Sequence, residues 1–374
     1  MSLKPKPVVE AMERYYNEFP ACGGRSGHAL AERVDHEVQR VRAQVAEFIG
    51  AANSEEIIFT RNTTEGINLV SQSLDFHPDD VVLTTDKEHN SNLVPWFKLV
   101  KQKGIRHRVI PSCADNTIDL EAFQLAINDG VQLIAIGDTS NLDGVTAPLK
   151  EIITMAHAQG ALVLVDAAQG VAHHLINVRT LDVDFLAFSG HKLFGPTGTG
   201  VLYGKKELLE TLNPFLVGGD TVASSTYTGY EMLPIPEKFE AGLQDYAGII
   251  GLGAAIEYVR KIGWSFIQSQ DQQLNTTISE GLAALPTVSI IGPEDPTMRG
   301  GIISFVVNGM DAHQCAVMLE QMNGILVRSG QHCVHSWFHA RGIPGSVRAS
   351  LAFYNTIEEA HVFIEAMKKI TSLT

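Results

Sequence analysis

The chain has 374 residues, of which 45% are hydrophobic and 19% charged, a composition typical of a folded globular protein. Its formal net charge of -14 argues against nucleic acid or an anionic membrane as the main partner, because phosphate groups bind to basic surfaces. The sequence contains no run of the roughly 18 apolar residues that a membrane span needs. The first residues lack the apolar core of a secretory signal. We therefore expect a soluble cytoplasmic protein.

Short apolar runs alternate with helical patterns along the first two thirds of the chain. Apolar residues from Leu30 to Phe48 fall on one face of a helix that Gly50 closes. After the first run, Asn62 and Glu65 have the spacing of a capping box for a helix. The runs that we interpret as strands are 57–60, 81–83, 108–110, 133–136, 161–165 and 185–188. Because these runs are continuous rather than alternating, they predict a mostly parallel sheet that helices cover on both faces.

The pattern changes near Trp264. A long polar helix there precedes the apolar run 301–307, a helix near 312–322, two further strands and a last helix. This order predicts a smaller α+β domain at residues 264–374, after a large domain at residues 21–263. We expect the N-terminal segment, residues 1–20, to pack with the small domain.

A lysine follows one of the predicted strands directly, in the run Ser189-Gly190-His191-Lys192. In parallel sheets, ligands gather at the carboxyl ends of the strands. A lysine buried there loses solvation, which lowers its pKa and makes Lys192 an amine that can form a Schiff base. The alternative, a solvated surface lysine on a turn, is disfavoured by the buried strand that leads into it.

Two other strand ends carry residues that can bind a charged ligand. Asp166 follows the run 161–165, and a buried acid in that place needs a cation such as a protonated pyridine nitrogen. Thr63 and Thr64 open a helix, so their hydroxyl and N–H groups suit a phosphate. The alternative for each of these residues is an ordinary helix cap. No strand is followed by G-x-G-x-x-G, and the sequence has no Walker A loop, so nucleotide binding is the weaker hypothesis.

Together these segments resemble the fold-type I pyridoxal-phosphate enzymes of the class V aminotransferase superfamily. Within it they resemble the branch of the cysteine desulfurases and selenocysteine lyases. The resemblance runs from about Pro5 to the C-terminus, and its most specific motifs are 64–68 (TEGIN), 88–92 (EHNSN), 189–192 (SGHK), 328–333 (RSGQHC) and 348–350 (RAS). It implies an α/β fold whose large domain holds a mostly parallel seven-stranded sheet, with a smaller α+β C-terminal domain that carries the Cys333 loop.

The resemblance also implies a role for each matching residue. Lys192 would hold the cofactor, Asp166 would pair with its ring nitrogen, and Gln169 would reach its phenolic oxygen. His89 would stack on the ring and move protons. The residues expected to hold the phosphate are Thr63, Thr64, Ser189 and His191. Those expected at the substrate carboxylate and the thiol loop are Asn141, which also touches the cofactor, Arg348 and Arg328.

Cys333 is the residue that selects the branch, because a plain aminotransferase of this class has no use for a thiol there. The other cysteines, Cys22, Cys113 and Cys315, form no C-x-x-C pair and indicate neither a zinc site nor disulfides. We expect Arg328, His332 and His335 to favour the Cys333 thiolate if they face it.

The expected reaction is pyridoxal-phosphate-dependent removal of sulfur from L-cysteine, which gives L-alanine and a Cys333 persulfide for iron–sulfur cluster assembly or other sulfur transfer. The expected partners are L-cysteine, a second copy of the chain in a homodimer, and a sulfur-acceptor or scaffold protein. No metal is expected. Selenocysteine lyase, an aminotransferase or racemase-like enzyme, and a non-catalytic scaffold of the same fold remain as alternatives.

Three departures from the family pattern accompany this interpretation. Gln331 stands where a second histidine is usual. Leu243 replaces a threonine that donates to the phosphate of the partner subunit's cofactor, and Gln244 is the candidate to replace that contact. The short Leu-Asp-Asn-Ala-Ala strand with which relatives begin does not occur in this sequence, so we expect that the natural chain starts further upstream.

Overall fold

The computed structural model of the protein describes residues 1–24, 26–127 and 130–373. The helices are α1 (Lys6–Glu18), α2 (Ala29–Ile49), α3 (Thr63–Ser73), α4 (Asn90–Lys103), α5 (Leu120–Ile127), α6 (Leu149–His157), α7 (Val178–Leu181), α8 (Lys206–Thr211), α9 (Tyr246–Ile262), α10 (Trp264–Ala283), α11 (Ala312–Asn323), α12 (His335–Arg341) and α13 (Ile357–Thr371). The strands are β1 (Ile57–Thr60), β2 (Val81–Thr85), β3 (Arg106–Ile110), β4 (Val131–Gly137), β5 (Leu162–Asp166), β6 (Phe185–Ser189), β7 (Gly200–Gly204), β8 (Val222–Ser225), β9 (Tyr230–Met232), β10 (Val288–Ile291), β11 (Ile302–Val307), β12 (Arg328–Gly330) and β13 (Ser346–Ser350).

Seven strands form the large sheet, in the order β1-β7-β6-β5-β4-β2-β3. The five neighbouring strands from β6 to β3 are parallel, whereas β7 runs antiparallel to both of its neighbours. Every residue of β2, β6 and β7 is buried, as continuous apolar runs covered on both faces require. The prediction of a mostly parallel seven-stranded sheet is confirmed.

β7 is a strand that the apolar runs did not predict. Its apolar part is only Val201–Tyr203, with a glycine at each end. A Cβ atom on Gly200 would come within 2.6 Å of the Asn62 Cα atom, so glycine allows β7 to pass close to the residue before α3. This close approach helps to set the N-terminus of α3 at the carboxyl edge of the sheet.

Helix α1 packs against α9, a helix of the expected large domain. Its residue Ala11, together with Phe19 just after it, belongs to the apolar core that also contains residues of α2 and α9. Towards the C-terminal part of the chain, the Leu3 N–H donates to the Tyr354 hydroxyl at 3.3 Å. The apolar face of α1 is thus buried against α9, while the expected domain bounds, and with them the packing of residues 1–20 with the small domain, stay a prediction.

A second sheet, in the order β10-β11-β13-β12, is antiparallel throughout. Its apolar core includes Leu274 of α10, Phe305, Cys315 of α11 and Met367 of α13. Helices α9 and α10 meet at Gly263, near the expected domain boundary, which stays a prediction. None of the helices in the described ranges has the length and apolar character that crossing a bilayer requires.

Candidate active site

A cavity of about 410 Å³ lies at the carboxyl ends of the large sheet, next to β12 and β13 of the second sheet. The structure brings together here all of the predicted site residues except Cys333: Thr63, Thr64, His89, Asn141, Asp166, Gln169, Ser189, His191, Lys192, Arg328 and Arg348. Cys333 is half-buried beside this cavity, where its Sγ atom accepts a hydrogen bond from Nη2 of Arg328 at 3.3 Å. The sequence motifs thus converge on one place although they are far apart along the chain.

Lys192 and Asp166 come from adjacent strands. Lys192 ends the short 3-10 turn that follows β6, and Asp166 is the last residue of β5. Burial lowers the pKa of Lys192, an effect that the negative charge of Asp166 opposes. Burial also raises the pKa of Asp166, which the positive charge of Lys192 and a hydrogen bond from the Ala168 N–H at 2.9 Å oppose. The two groups therefore share one buried environment, in which a neutral amine can exist.

The start of α3 forms a cluster of hydroxyl groups. The Thr63 N–H donates to Oγ of Ser189 at 2.9 Å, and the hydroxyl oxygens of these two residues are 2.6 Å apart. The hydroxyl oxygens of Thr64 and Ser91 are 2.7 Å apart, so α4 also brings a hydroxyl to this place. Hydroxyl groups beside a helix N-terminus suit a phosphate.

The predicted capping box of α3 is only half formed. Asn62 is the N-cap residue, and its side chain accepts from the Glu65 N–H at 3.0 Å. The Glu65 carboxylate, however, accepts from the N–H of Arg61 rather than from that of Asn62. The helix start is nevertheless fixed by Asn62, which keeps Thr63 and Thr64 at the cavity.

His89 is held as a neutral ring. It is the N-cap residue of α4, and its Nδ1 atom accepts from the Ser91 N–H at 3.0 Å. Burial, followed by the positive charges of Lys192 and Arg328, lowers the pKa of His89 to about 4. Since Nδ1 accepts a hydrogen bond, we assign the ring proton to Nε2, so that nitrogen can donate to a bound group.

Arg348 and Asn141 connect the cavity to the Cys333 loop, residues 331–335. Nη1 of Arg348 donates to the Asn141 carbonyl oxygen at 2.9 Å, and the Asn141 side chain donates to the His332 carbonyl oxygen at 2.8 Å. The buried Nε atom of Arg348 has no hydrogen-bond partner in the part of the chain that the structure describes. An anionic ligand would satisfy it, because buried guanidinium groups pair with carboxylates or phosphates.

The Cys333 loop has a strained backbone. His332 and Cys333 both have left-handed φ values, 51° and 63°, which cost roughly 1–2 kcal/mol for each non-glycine residue. The Asn90 N–H holds the loop by donating to the Cys333 carbonyl oxygen at 2.8 Å. Of the three basic residues expected around the thiol, Arg328 contacts the sulfur. The His332 ring instead hydrogen-bonds to the Ser346 hydroxyl at 2.8 Å, and the His335 ring to the Asn90 side chain.

Leu243 and Gln244 do not line the cavity of this chain. Leu243 is 62% exposed. The Gln244 side-chain amide donates to the backbone carbonyl groups of Glu240 and Gly242, at 3.0 and 3.1 Å. The backbone of neighbouring residues therefore engages this amide, and the contact of Gln244 with the cofactor of a partner subunit stays a prediction.

Several residues that line the cavity have no role that the sequence predicted: Lys87, Glu88, Ser91, His173 and Tyr354. Lys87 forms a buried ion pair at 3.1 Å with Asp143, which is two residues after Asn141 in sequence. Glu88 could have been identified because it precedes His89 in the motif 88–92, and Lys87 because it lies two residues beyond the end of β2.

The cavity fits pyridoxal phosphate. It offers a buried amine at Lys192, a buried carboxylate at Asp166 for a protonated ring nitrogen, and hydroxyl groups at the start of α3 for the phosphate. No group of three His, Cys, Asp or Glu side chains that could hold a metal ion occurs in the described ranges.

Comparison with known proteins places the chain in a family. The model of the family described as Aminotransferase class-V matches residues 1–363. A cysteine desulfurase of Enterobacter sp. (strain 638) is 39% identical over 374 residues, which are 99% of this chain and 91% of the relative. A cysteine desulfurase of Salmonella typhimurium has the same identity and the same coverage.

Solved structures agree with this placement. The apo structure of a cysteine desulfurase from Thermococcus onnurineus NA1 has a TM-score of 0.97 and 40% identity, over 100% of this chain and 93% of that one. The cysteine desulfurase CsdA from Escherichia coli, in an S-sulfonic acid form, has a TM-score of 0.91 and 35% identity, over 99% and 92% of the two chains. The chain therefore belongs to the class-V aminotransferase family and, within it, to the cysteine desulfurases.

Proposed function

We propose that this protein uses pyridoxal phosphate to remove sulfur from L-cysteine, releases L-alanine and keeps the sulfur as a persulfide on Cys333. The observation that carries the proposal is the position of Cys333, whose Sγ atom is bound by Arg328, a residue that itself lines the cavity of Lys192. A thiol in this place distinguishes a desulfurase from an aminotransferase, which needs the amine and the acid but no thiol. The related cysteine desulfurases support the same reaction.

The cofactor, when bound, withdraws electrons from the substrate carbon next to the amine nitrogen. Lys192 would hold it, and the Lys192 amine, once the amine of the substrate has replaced it, would serve as the base for the proton on that substrate carbon. Burial suits Lys192 to both tasks, since the lowered pKa favours the neutral amine. Asp166 would keep a proton on the ring nitrogen, since a buried carboxylate needs a cationic partner.

The remaining residues orient the substrate and the cofactor. Arg348, with its free Nε atom, binds the substrate carboxylate, and Asn141 fixes the arginine and the thiol loop together. Gln169, which follows β5, would reach the phenolic oxygen of the cofactor, and His89 would stack on its ring and move protons through Nε2. Thr63, Thr64, Ser189 and His191 would hold the phosphate.

The sulfur transfer follows from this arrangement. The Cys333 thiolate attacks the sulfur of the bound cysteine, so that an S–S bond forms and the Cβ–S bond breaks. The electron pair of the broken bond stays with the carbon skeleton, and protonation of that carbon gives alanine. The hydrogen bond from Nη2 of Arg328 to Sγ holds the sulfur beside the cavity for this step.

We also propose a homodimer. Large apolar side chains are exposed on β9, on the segments beside β8 and β9, and near α9: Leu216, Val217, Tyr227, Tyr230 and Leu243. Such a concentration of exposed apolar surface is typical of an interface between protein chains. A cytoplasmic location, a sulfur-acceptor or scaffold protein and a role in iron–sulfur cluster assembly complete the proposal.

The test is mass spectrometry of the cofactor-loaded protein after exposure to L-cysteine. We expect one added sulfur atom on the peptide that contains Cys333, together with release of alanine. Amino transfer to 2-oxo acids without the added sulfur would favour an aminotransferase instead. A strong preference for selenocysteine over cysteine would favour the lyase, and protein that takes up no cofactor would favour a scaffold.

A further inference from the structure

Glu88 is a buried acid that the proposed reaction does not explain. It follows β2, directly precedes His89, and lines the same cavity as Asp166 and Lys192. Only 4% of its surface is exposed. A buried carboxylate normally pairs with a cation, because removing its charge from water is costly. In the part of the chain that the structure describes, Glu88 forms no ion pair, and the adjacent Lys87 pairs with Asp143 instead.

Three neutral donors hold the Glu88 carboxylate. The Thr85 hydroxyl and the Gly137 N–H donate to Oε1, at 2.6 and 3.1 Å. The Asn92 side chain donates to Oε2 at 2.7 Å. These bonds connect the end of β2, the end of β4 and the first turn of α4. They therefore fix the turn from Thr85 to Asn92, which carries His89 into the cavity.

The same contacts place Glu88 close to Asp166. Gly137, which donates to Glu88, is the direct partner of Asp166 in the parallel pair of β4 and β5. Neighbouring strands lie about 4.8 Å apart, so the two acids approach the cavity from adjacent strand ends. The charge of Asp166 adds to the effect of burial, and together they raise the pKa of Glu88 to about 7. The donors oppose this rise, so that ionised and protonated Glu88 are close in free energy at neutral pH.

We propose that Glu88 is a positioning residue of the desulfurase reaction, which in its ionised form fixes the turn of His89 and adds a second negative charge beside Asp166. This inference rests on the proposed function. A second negative charge near Asp166 strengthens the hold on a ring-nitrogen proton, since nearby opposite charges favour the charged form. The charged groups around Glu88 are Asp166 on β5 and the Lys87–Asp143 pair. Glu88 also precedes the neutral His89 and lines the same cavity as Lys192.

The experiment compares the wild-type holoenzyme with Glu88→Gln, Thr85→Val and Glu56→Gln. Glutamine keeps the size of Glu88 but removes its charge. Thr85→Val removes one donor to the carboxylate, which raises the pKa of Glu88 further. Glu56 is the matched control, because it is also buried and accepts from the Ala52 and Asn53 N–H groups at 2.8 and 3.0 Å, but does not line the cavity.

Two readouts are measured against pH: the kcat and KM of alanine release, and the visible absorbance of the bound cofactor without cysteine. In the wild type we expect kcat to fall below a pH of about 7, where Glu88 takes up a proton. Glu88→Gln should lower kcat roughly tenfold, the effect of one pKa unit, with KM changed less than about twofold. The fall of kcat at low pH, and the change of cofactor absorbance over the same pH range, should disappear in Glu88→Gln. Both should move to higher pH in Thr85→Val.

A purely structural role would lower the melting temperature of Glu88→Gln, as in Glu56→Gln, and leave both pH profiles in place. That outcome, or an unchanged kcat in Glu88→Gln, would overturn the inference. If the wild type releases no alanine from cysteine, the proposed function fails. In that case the pH titration of the cofactor absorbance still tests the role of Glu88. The absorbance change, and its loss in Glu88→Gln, do not depend on turnover.

Discussion

Arg348 stands directly opposite Arg328 in the antiparallel pair of β12 and β13, and both side chains line the cavity. Opposite residues in such a pair have Cβ atoms about 4.5–5.5 Å apart, where like charges destabilise the sheet. Burial, followed by the charge of Arg328, lowers the pKa of Arg348 to about 10. No acidic side chain forms an ion pair with either arginine within the described ranges. An anion between them would relieve this repulsion, which suits the carboxylate of an amino acid.

Arg348→Lys should therefore weaken cysteine binding more than it slows the chemical step. Lysine keeps the positive charge but loses the planar fork, and charge-assisted hydrogen bonds contribute about 1.5–3 kcal/mol. We expect KM for cysteine to rise roughly 10- to 100-fold in steady-state assays. Arg40→Lys, at an arginine that bonds to Glu37 and Glu257 on the surface, is the control. A large loss of kcat with an unchanged KM would contradict the assignment.

Cys333→Ser should separate cofactor binding from sulfur transfer. The serine hydroxyl cannot attack sulfur as the thiolate does, so we expect alanine release from cysteine to fall roughly 100-fold or more. The visible absorbance of the bound cofactor should stay, because Cys333 does not line the cavity. Cys22→Ser, at an exposed cysteine, should retain wild-type activity. Persulfide formation that persists in Cys333→Ser would assign the acceptor thiol elsewhere.

The part of the site that the sequence predicted lies at strand ends. Asp166 and Lys192 each follow a short apolar run, and parallel strands bring their carboxyl ends to one edge. Their convergence therefore follows from local patterns together with one rule of sheet topology. The threonines at the start of α3 could be identified for the same reason.

Other features depend on contacts between distant segments, which no local pattern encodes. The packing of α1 against α9 was not predicted, because the apolar face of a helix does not specify which apolar surface will bury it. His332 and His335 stand next to Cys333 in sequence, but the left-handed backbone of the loop directs their rings to Ser346 and Asn90. The three donors that hold Glu88 likewise come from different elements.

Lys192→Ala should abolish the covalent attachment of the cofactor. The neutral amine that burial favours at this position is the group that forms the bond, and alanine supplies none. After borohydride reduction of the loaded protein, mass spectrometry should find the cofactor on the Lys192 peptide of the wild type and on no peptide of the variant. Lys150→Ala, at an exposed lysine that donates to the Thr180 carbonyl oxygen, should behave as the wild type does. Cofactor that remains covalently bound in Lys192→Ala would refute the assignment.

Acid should destabilise the fold partly through His107 of β3, away from the cavity. Its Nε2 atom meets the Thr84 hydroxyl at 2.9 Å, its ring packs on Phe97, and burial lowers its pKa from 6.5 to about 4. The unfolded chain thus binds a proton at higher pH than the folded one. The stability that neutral His107 contributes is present above a pH of about 6.5 and is lost as the pH falls towards 4. Melting temperatures at several pH values should fall less steeply in His107→Phe than in the wild type, whereas the exposed control His361→Gln should keep the wild-type slope. Equal slopes in His107→Phe and the wild type would show that this histidine does not couple folding to protonation.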